Sequence, residues 1–223
     1  SGEKIARLLD HRLVAHQEAL SSLRRLVEVT PSMTYRQFEY FTRITLQDNR
    51  DIFALSFNPY LKHSQRAFFE QSLLQKYKAS GGSITERNQE KKLVTAAERP
   101  YYVPVGYIAP LNGNQAAVGY DIYSDPVRRS AIEQAMNFMK PAVTEPIQLV
   151  QEQQKRVGVL VLHPAYQEQH DPLFGKTVSQ LTGFAVAVIK IDDLVRIATR
   201  DQVPAGLVFR MRDLQAEPDR QLL

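Results

Sequence analysis

Hydrophobic spacing divides the chain into a helical first third and a strand-rich remainder. Over residues 3–29 the row Ala6, Leu9, Leu13, His16, Leu20, Leu23 and Val27 recurs with alternating steps of three and four. This seven-residue repeat predicts a helical seam, and Thr30-Pro31-Ser32 ends it because the residue before a proline resists helical geometry. A helix of about 25 residues reaches roughly 38 Å at 1.5 Å per residue. Two uses fit that length: packing on the domain's own core, or a signalling stalk that also pairs with a second copy. His16 reads first as a polar layer in the seam, with a ligand or a pH switch as the alternative.

Residues 34–48 predict a second helix, with Thr34 as N-cap and Phe38, Phe41, Ile44 and Thr45 on one face. An apolar strand or turn over 52–57 is broken by Asn58-Pro59, and a third helix over 64–77 carries Phe68, Leu73 and Leu74 before Ser80-Gly81-Gly82 stops it. The charged stretch 88–98 reads as a loop or hairpin tip. Beyond it the period becomes two, with Val103, Val105 and Tyr107 facing one way and Tyr102, Gly106 and Ile108 the other. Asn112-Gly113-Asn114 signals a turn, so a strand over 115–123 is expected to pair antiparallel with the one before. Ser124-Asp125-Pro126 opens a helix that runs to about 139. Strands over 143–150 and 157–162 follow. After a polar connection through Gly175, a strand over 183–189, a short helix over 192–199 and a strand over 205–211 suggest a second small sheet, with 213–223 a polar tail.

At 223 residues and 43% hydrophobic content the chain can bury one good core or two small ones. Its 28 Lys and Arg against 24 Asp and Glu are interspersed, which disfavours a nucleic-acid surface, since tracking phosphates needs clustered cations with stacking aromatics. Cysteine is absent, which removes disulfides, thiolate metal sites and cysteine nucleophiles. No apolar run approaches the roughly 20 residues of a membrane span.

Candidate chemistry centres on Gly119-Tyr120-Asp121-Ile122-Tyr123. Strand alternation there would put Gly119, Asp121 and Tyr123 on one face. A carboxylate on the inner face of a small sheet needs hydrogen-bond donors, such as an amine or a ring nitrogen bearing hydrogen. Asp121 is therefore the leading ligand anchor, the alternative being that it bonds backbone donors at the Ser124 turn. Tyr102, Tyr107 and Tyr123 could wall a pocket or sit in the core. Asn114 reads as a turn residue, while Arg99 and Arg128 read as solvated surface with anion binding as the alternative. His163 reads as a strand-end residue, and the spacing calls for no metal and no cofactor.

Several of these pieces together resemble the CHASE family of extracytoplasmic sensor domains, found in front of histidine kinases and diguanylate cyclases and in plant cytokinin receptors. They are Phe53-Ala54-Leu55-Ser56-Phe57-Asn58-Pro59, then Arg66 and Phe68-Phe69-Glu70, the 101–110 segment, Gly119-Tyr120-Asp121, Ser124-Asp125-Pro126, and Val157-Gly158-Val159-Leu160-Val161-Leu162-His163-Pro164. The resemblance spans roughly 35–166. It implies an α+β fold with a long N-terminal helix and helical brace over 1–83, a membrane-distal PAS-like ligand-binding subdomain over 84–166 and a membrane-proximal PAS-like subdomain over 167–223. It implies a small-molecule ligand, a membrane-tethered receptor facing the periplasm or the extracellular side, and a homodimer through the N-terminal helix.

In the cytokinin receptors a carboxylate holds the adenine-like group, a role that falls on Asp121 here. The receptors' backbone contact falls on Val143, and a small polar pocket residue falls on Leu162. Leu162 departs from the pattern, since it narrows a pocket and removes a hydroxyl. The resemblance thus implies ligand-binding residues Asp121, Val143 and Leu162, to which the reading of the residues adds Tyr123, Tyr107 and Tyr102, with an amine or nitrogen heterocycle as the expected ligand. Two other classes stay open. An enzyme would need a nucleophile or metal, and neither Gly-x-Ser-x-Gly, His-Glu-x-x-His nor a phosphate-cradling glycine loop occurs; Asp121 with Asp125 as an acid/base pair is weakened because Asp125 suits a helix cap. A ligand-free dimerisation spacer is the other.

Overall fold

The computed structural model describes residues 2–77, 82–149, 157–171 and 176–199. Helix α1 (Gly2–Val29) forms as its repeat predicts. From His16 onward the seam is consumed by the domain itself, with His16, Leu20, Leu23 and Val27 buried, whereas Leu13 remains 44% and Val14 55% exposed. Helix α2 (Tyr35–Asp48) starts at a capping box in which the Gln37 amide donates to Thr34 Oγ1 and the Thr34 amide donates to Gln37 Oε1.

Strands β1 (Ile52–Pro59) and β2 (Leu61–Lys62) lead to α3 (Arg66–Tyr77), which begins after a 3-10 turn over His63–Gln65. The hairpin β3 (Thr85–Arg87) and β4 (Leu93–Thr95) turns at Asn88, whose Oδ1 accepts the Glu90 and Lys92 amides. Strand β5 (Tyr101–Tyr102) pairs with β2, and β6 (Tyr107–Ala109) joins the main sheet. Helix α4 (Pro126–Phe138) has Asp125 as N-cap and Pro126 in its first turn, as expected. Strands β7 (Ala142–Val143), β8 (Ile147–Gln148), β9 (Val157–Asp171) and β10 (Lys176–Lys190) follow, then α5 (Ile191–Thr199).

The main sheet is antiparallel in the order β6-β1-β10-β9-β7, with β8 also on β9. Its alternation separates two cores. One face carries Leu55, Ala109, Ala185 and Ala187 and packs on Leu20, Leu23 and Phe38 of α1 and α2. The other carries Ala54, Ile108, Leu160, Leu162, Phe184, Val186 and Val188, covered by α3, α4 and the turns between them. Burying each Val, Leu, Ile or Phe among them contributes about 1.5–3 kcal/mol.

Three expectations are corrected. Residues 183–189 do not begin a separate sheet: they lie in β10, between β1 and β9, so one sheet joins strands from all three expected segments. The continuous apolar run there is that of a central strand covered on both faces, where alternation has no polar side to show. Residues 115–123 are not a strand. Gly119 takes φ of 76°, and 3-10 turns flank it at Gln115–Ala117 and Ile122–Ser124, leaving isolated bridges of Tyr120 with Thr85 and of Asp121 with Pro104. A Cβ at position 119 would sit 2.8 Å from the Ser83 carbonyl oxygen, so this close approach requires glycine. Finally, 143–149 is divided into β7 and β8 by the Thr144-Glu145-Pro146 turn, which Thr144 clips to β9 by exchanging hydrogen bonds with Leu160. The strand expected over 205–211 and the tail over 213–223 lie outside the described residues.

Candidate functional site

Polar side chains on the covered sheet face come from β1. Ser56 and Asn58 are two residues apart and so share that face, and both are buried where an aliphatic residue would otherwise pack. Ser56 Oγ donates to Asn58 Oδ1 at 2.8 Å, and the Asn58 Nδ2 amide has no partner among the described residues at 1% exposure. A buried, unpaired donor of this kind costs about 1–3 kcal/mol.

Across from it stands Arg128. Asp125 accepts the Arg128 amide at 3.0 Å, Pro126 fixes the first turn, and the Arg128 side chain is thereby turned inward at 3% exposure. Its Nη1 donates to the Tyr120 hydroxyl at 3.1 Å and its Nη2 to the Gln148 carbonyl at 3.2 Å. Asp125 Oδ2 lies 3.3 Å from Nη1, and the guanidinium sits 5.3 Å from the Tyr120 ring centroid. Burial pushes the Tyr120 phenol up, against the pull of Arg128. Ser56, Asn58, Tyr120 and Arg128 line a cavity of about 30 Å³ whose other walls are apolar, Val105, Ile108, Leu149, Leu160, Val186 and Val188 among them. That volume matches about one water molecule.

Arg128, expected on the solvated surface, is instead the charged side chain of this cavity. Ser56 and Asn58 were readable only as a strand ending in a break. The signal that marks them is two polar residues at alternate positions in an otherwise apolar segment.

Asp121 is 0% exposed and caps a 3-10 turn. Its Oδ1 accepts the Val103 amide at 2.8 Å and the Tyr123 amide at 3.1 Å, and its Oδ2 accepts Arg99 Nη1 at 2.8 Å. Burial pushes the carboxyl up from the usual range, opposed by the Val103 amide and Arg99. Arg99 also pairs with Glu86 and stacks near the Tyr102 ring. The Tyr102 hydroxyl is held by Arg66, the Arg99 amide and His63. Asp121 and Tyr102 are thus brought together through Arg99.

The other expected residues are dispersed. Tyr107 lies on the opposite sheet face beside Phe38, its hydroxyl donating to the Met33 carbonyl at 2.6 Å and its ring under Lys76 Nζ. Tyr123 donates to Glu133 Oε1 at 2.9 Å. Val143 is exposed and its backbone pairs with Val161 in β9. Leu162 is buried on the sheet floor between Ala142 and Val186. Asn114 holds the turn, its Nδ2 donating to the Pro110 carbonyl at 2.8 Å. Half-burial and Arg24 push His163 down from the usual imidazole range.

A family model described as CHASE domain matches residues 31–223. The fold is that of an extracellular sensor domain. The chain belongs to the CHASE domain family. A solved structure titled "Methyl-accepting Chemotaxis protein X" aligns over 97% of this chain and 77% of that one, with 12% identity and a TM-score of 0.39. No curated protein gives a significant sequence match. No helix among the described residues is long and apolar enough to cross a membrane.

Proposed function

We propose that the chain is the sensing module of a transmembrane histidine kinase or diguanylate cyclase, displayed on the periplasmic or extracellular side, and that it binds a small molecule between the sheet and the α4 cover. The observation that carries this reading is the unpartnered Asn58 amide beside buried Arg128 in a cavity of a sensor-family domain. An amine or nitrogen heterocycle at Asp121 would have to displace Arg99 or a backbone amide, so the polar contact is better placed at Asn58 and Arg128.

Strand β1 offers the route outward. Asn58 and Ser56 face the cavity, Leu55 and Phe57 face the α1 and α2 side, and Asp51, just before the strand, binds Arg12 and His16 of α1. Two copies then pair along the first half of α1, where Leu13 and Val14 stay exposed. The helix pair is the bistable element, and a ligand shifts it only by its different affinity for the two arrangements.

The size of the cavity favours one competing reading, a ligand-free spacer. A thermal-shift screen over purine derivatives, amines, amino acids and organic acids separates the two. The sensor reading expects at least one class to raise the Tm of the wild type and not of Asn58→Leu. A flat screen, or a response that Asn58→Leu leaves intact, supports the spacer instead.

A further inference from the structure

Resting on that sensor reading, we infer that the cavity between β1 and α4 selects a short aliphatic monocarboxylate, held by Asn58 Nδ2 and Arg128. The hydrogen-bonding balance of the site gives the sign. Asn58 Oδ1 already accepts from Ser56 Oγ, and the group of Asn58 left unmatched among the described residues is its Nδ2 donor, which lacks an acceptor. Arg128 adds only donors. A ligand amine would bring further donors to a site already rich in them, whereas a carboxylate brings two acceptor oxygens.

Charge limits the ligand to a monoanion. Arg128 is the only charged side chain among the described residues that line the cavity, and Asp125 offsets part of its charge from 3.3 Å. A dianion such as phosphate would carry uncompensated charge into walls made of Val105, Ile108, Leu160 and Val186. The same walls accept a methyl or short alkyl group without loss. Size orders the series: with room for about one water, the cavity seats any of these acids only as the α4 cover moves off the sheet, less far for formate and acetate than for butyrate, because each added methylene pushes it further.

The test uses this chain at constant ionic strength, with formate, acetate, propionate and butyrate as probes and acetamide, methylamine and phosphate as controls. Tm and the methyl NMR signals of Leu160 and Val186 are followed. Expected are a Tm rise of about 4 °C at ten times the Kd of acetate, shifts at both methyl sites, no response to the controls, and weakening from acetate to butyrate. Asn58→Asp keeps the size of the side chain while replacing the donor that faces the ligand with a carboxylate oxygen that repels it, so it should weaken acetate at least about tenfold while circular dichroism stays native. Arg128→Met should do likewise if it folds; Asn58→Asp decides the matter if it does not. An acetate response that survives Asn58→Asp overturns the site. Binding of an amine or purine that Asn58→Leu abolishes overturns the ligand class and leaves the sensor reading standing. No binding by any compound, in this series or the wider screen, overturns both.

Discussion

Replacing Asp51 by Asn should loosen the attachment of α1 to the sheet. Asp51 is fully buried and accepts Arg12 Nε at 2.9 Å, Arg12 Nη2 and His16 Nε2 at 2.8 Å. Asn keeps the volume and one acceptor but removes the charge and turns an NH₂ group toward donors. Breaking a buried pair by removing one partner costs about 3–5 kcal/mol. Arg12 is partly exposed and Asn49 Oδ1 still takes one of its N–H groups, so the cost falls below that range, to about 2–3 kcal/mol. Urea denaturation at pH 7 measures this directly. Amide exchange over 16–27 should speed up first, because that stretch holds Leu20, Leu23 and Val27 against the sheet.

Acid supplies a second arm of the same test. Burial pushes the Asp51 carboxyl up, but His16 and Arg12 overcome it and hold the group well below the usual carboxylate range. A carboxylate depressed in the folded state stabilises fully above its unfolded pKa, about 3.9, and loses that contribution as pH falls toward the folded value. The stability gap between wild type and Asp51→Asn should therefore narrow below about pH 4. A loss under about 1 kcal/mol at pH 7, or a gap that is flat into acid, refutes the role given to this junction.

Two further outcomes follow from the same packing. Gly119→Ala must hold a side chain at φ of 76° against the Ser83 carbonyl and Leu73, and should lower stability by about 1–3 kcal/mol in urea titration, with no loss of helix signal. Burial lowers the Lys76 ammonium to about 8, so the unfolded chain binds more protons than the folded one between about pH 8 and 10.4, and the folded state gains stability as pH rises through that window. The Tyr107 ring at 3.4 Å and the Gly106 carbonyl at 3.2 Å favour the ammonium and reduce the slope. The measurable form is a stability difference between Lys76→Met and wild type that shrinks by about 1 kcal/mol from pH 7 to 9.5.

Helices were legible because their signals are local. The α1 repeat, the Thr34 capping box and the Asp125-Pro126 start each act within one or two turns, and all three stand as expected. Sheet membership is a property of distant pairs, and β10 illustrates the limit: its apolar run tells of burial on both faces but not that Phe184 will face Asn58 and Pro164. At Asp121 the failure had a specific physical source. The period-two reading needed an extended chain, and one glycine with positive φ turned the segment so that the carboxylate met Arg99 and two amides of its own fold.

The same reasoning explains why the candidate site moved to residues that looked structural. A buried polar group is normally matched within the fold. Asp121 looked like a group awaiting a partner and already accepts three donors of its own fold. Asn58 looked like the end of a strand and has an amide with no partner among the described residues. Its strand also lies between the two cores, so a change at Asn58 need not travel through loops to reach α1: Leu55 and Phe57 are already on the other face, and Asp51 lies seven residues before it, about 23 Å along an extended chain. If that strand is the coupling element, Asp51→Asn should leave acetate affinity at Asn58 nearly intact in the isolated domain while uncoupling α1 spacing from ligand in a spin-label distance measurement between two tethered copies. Equal loss of affinity and of coupling would place the junction in the binding site rather than on the path from it.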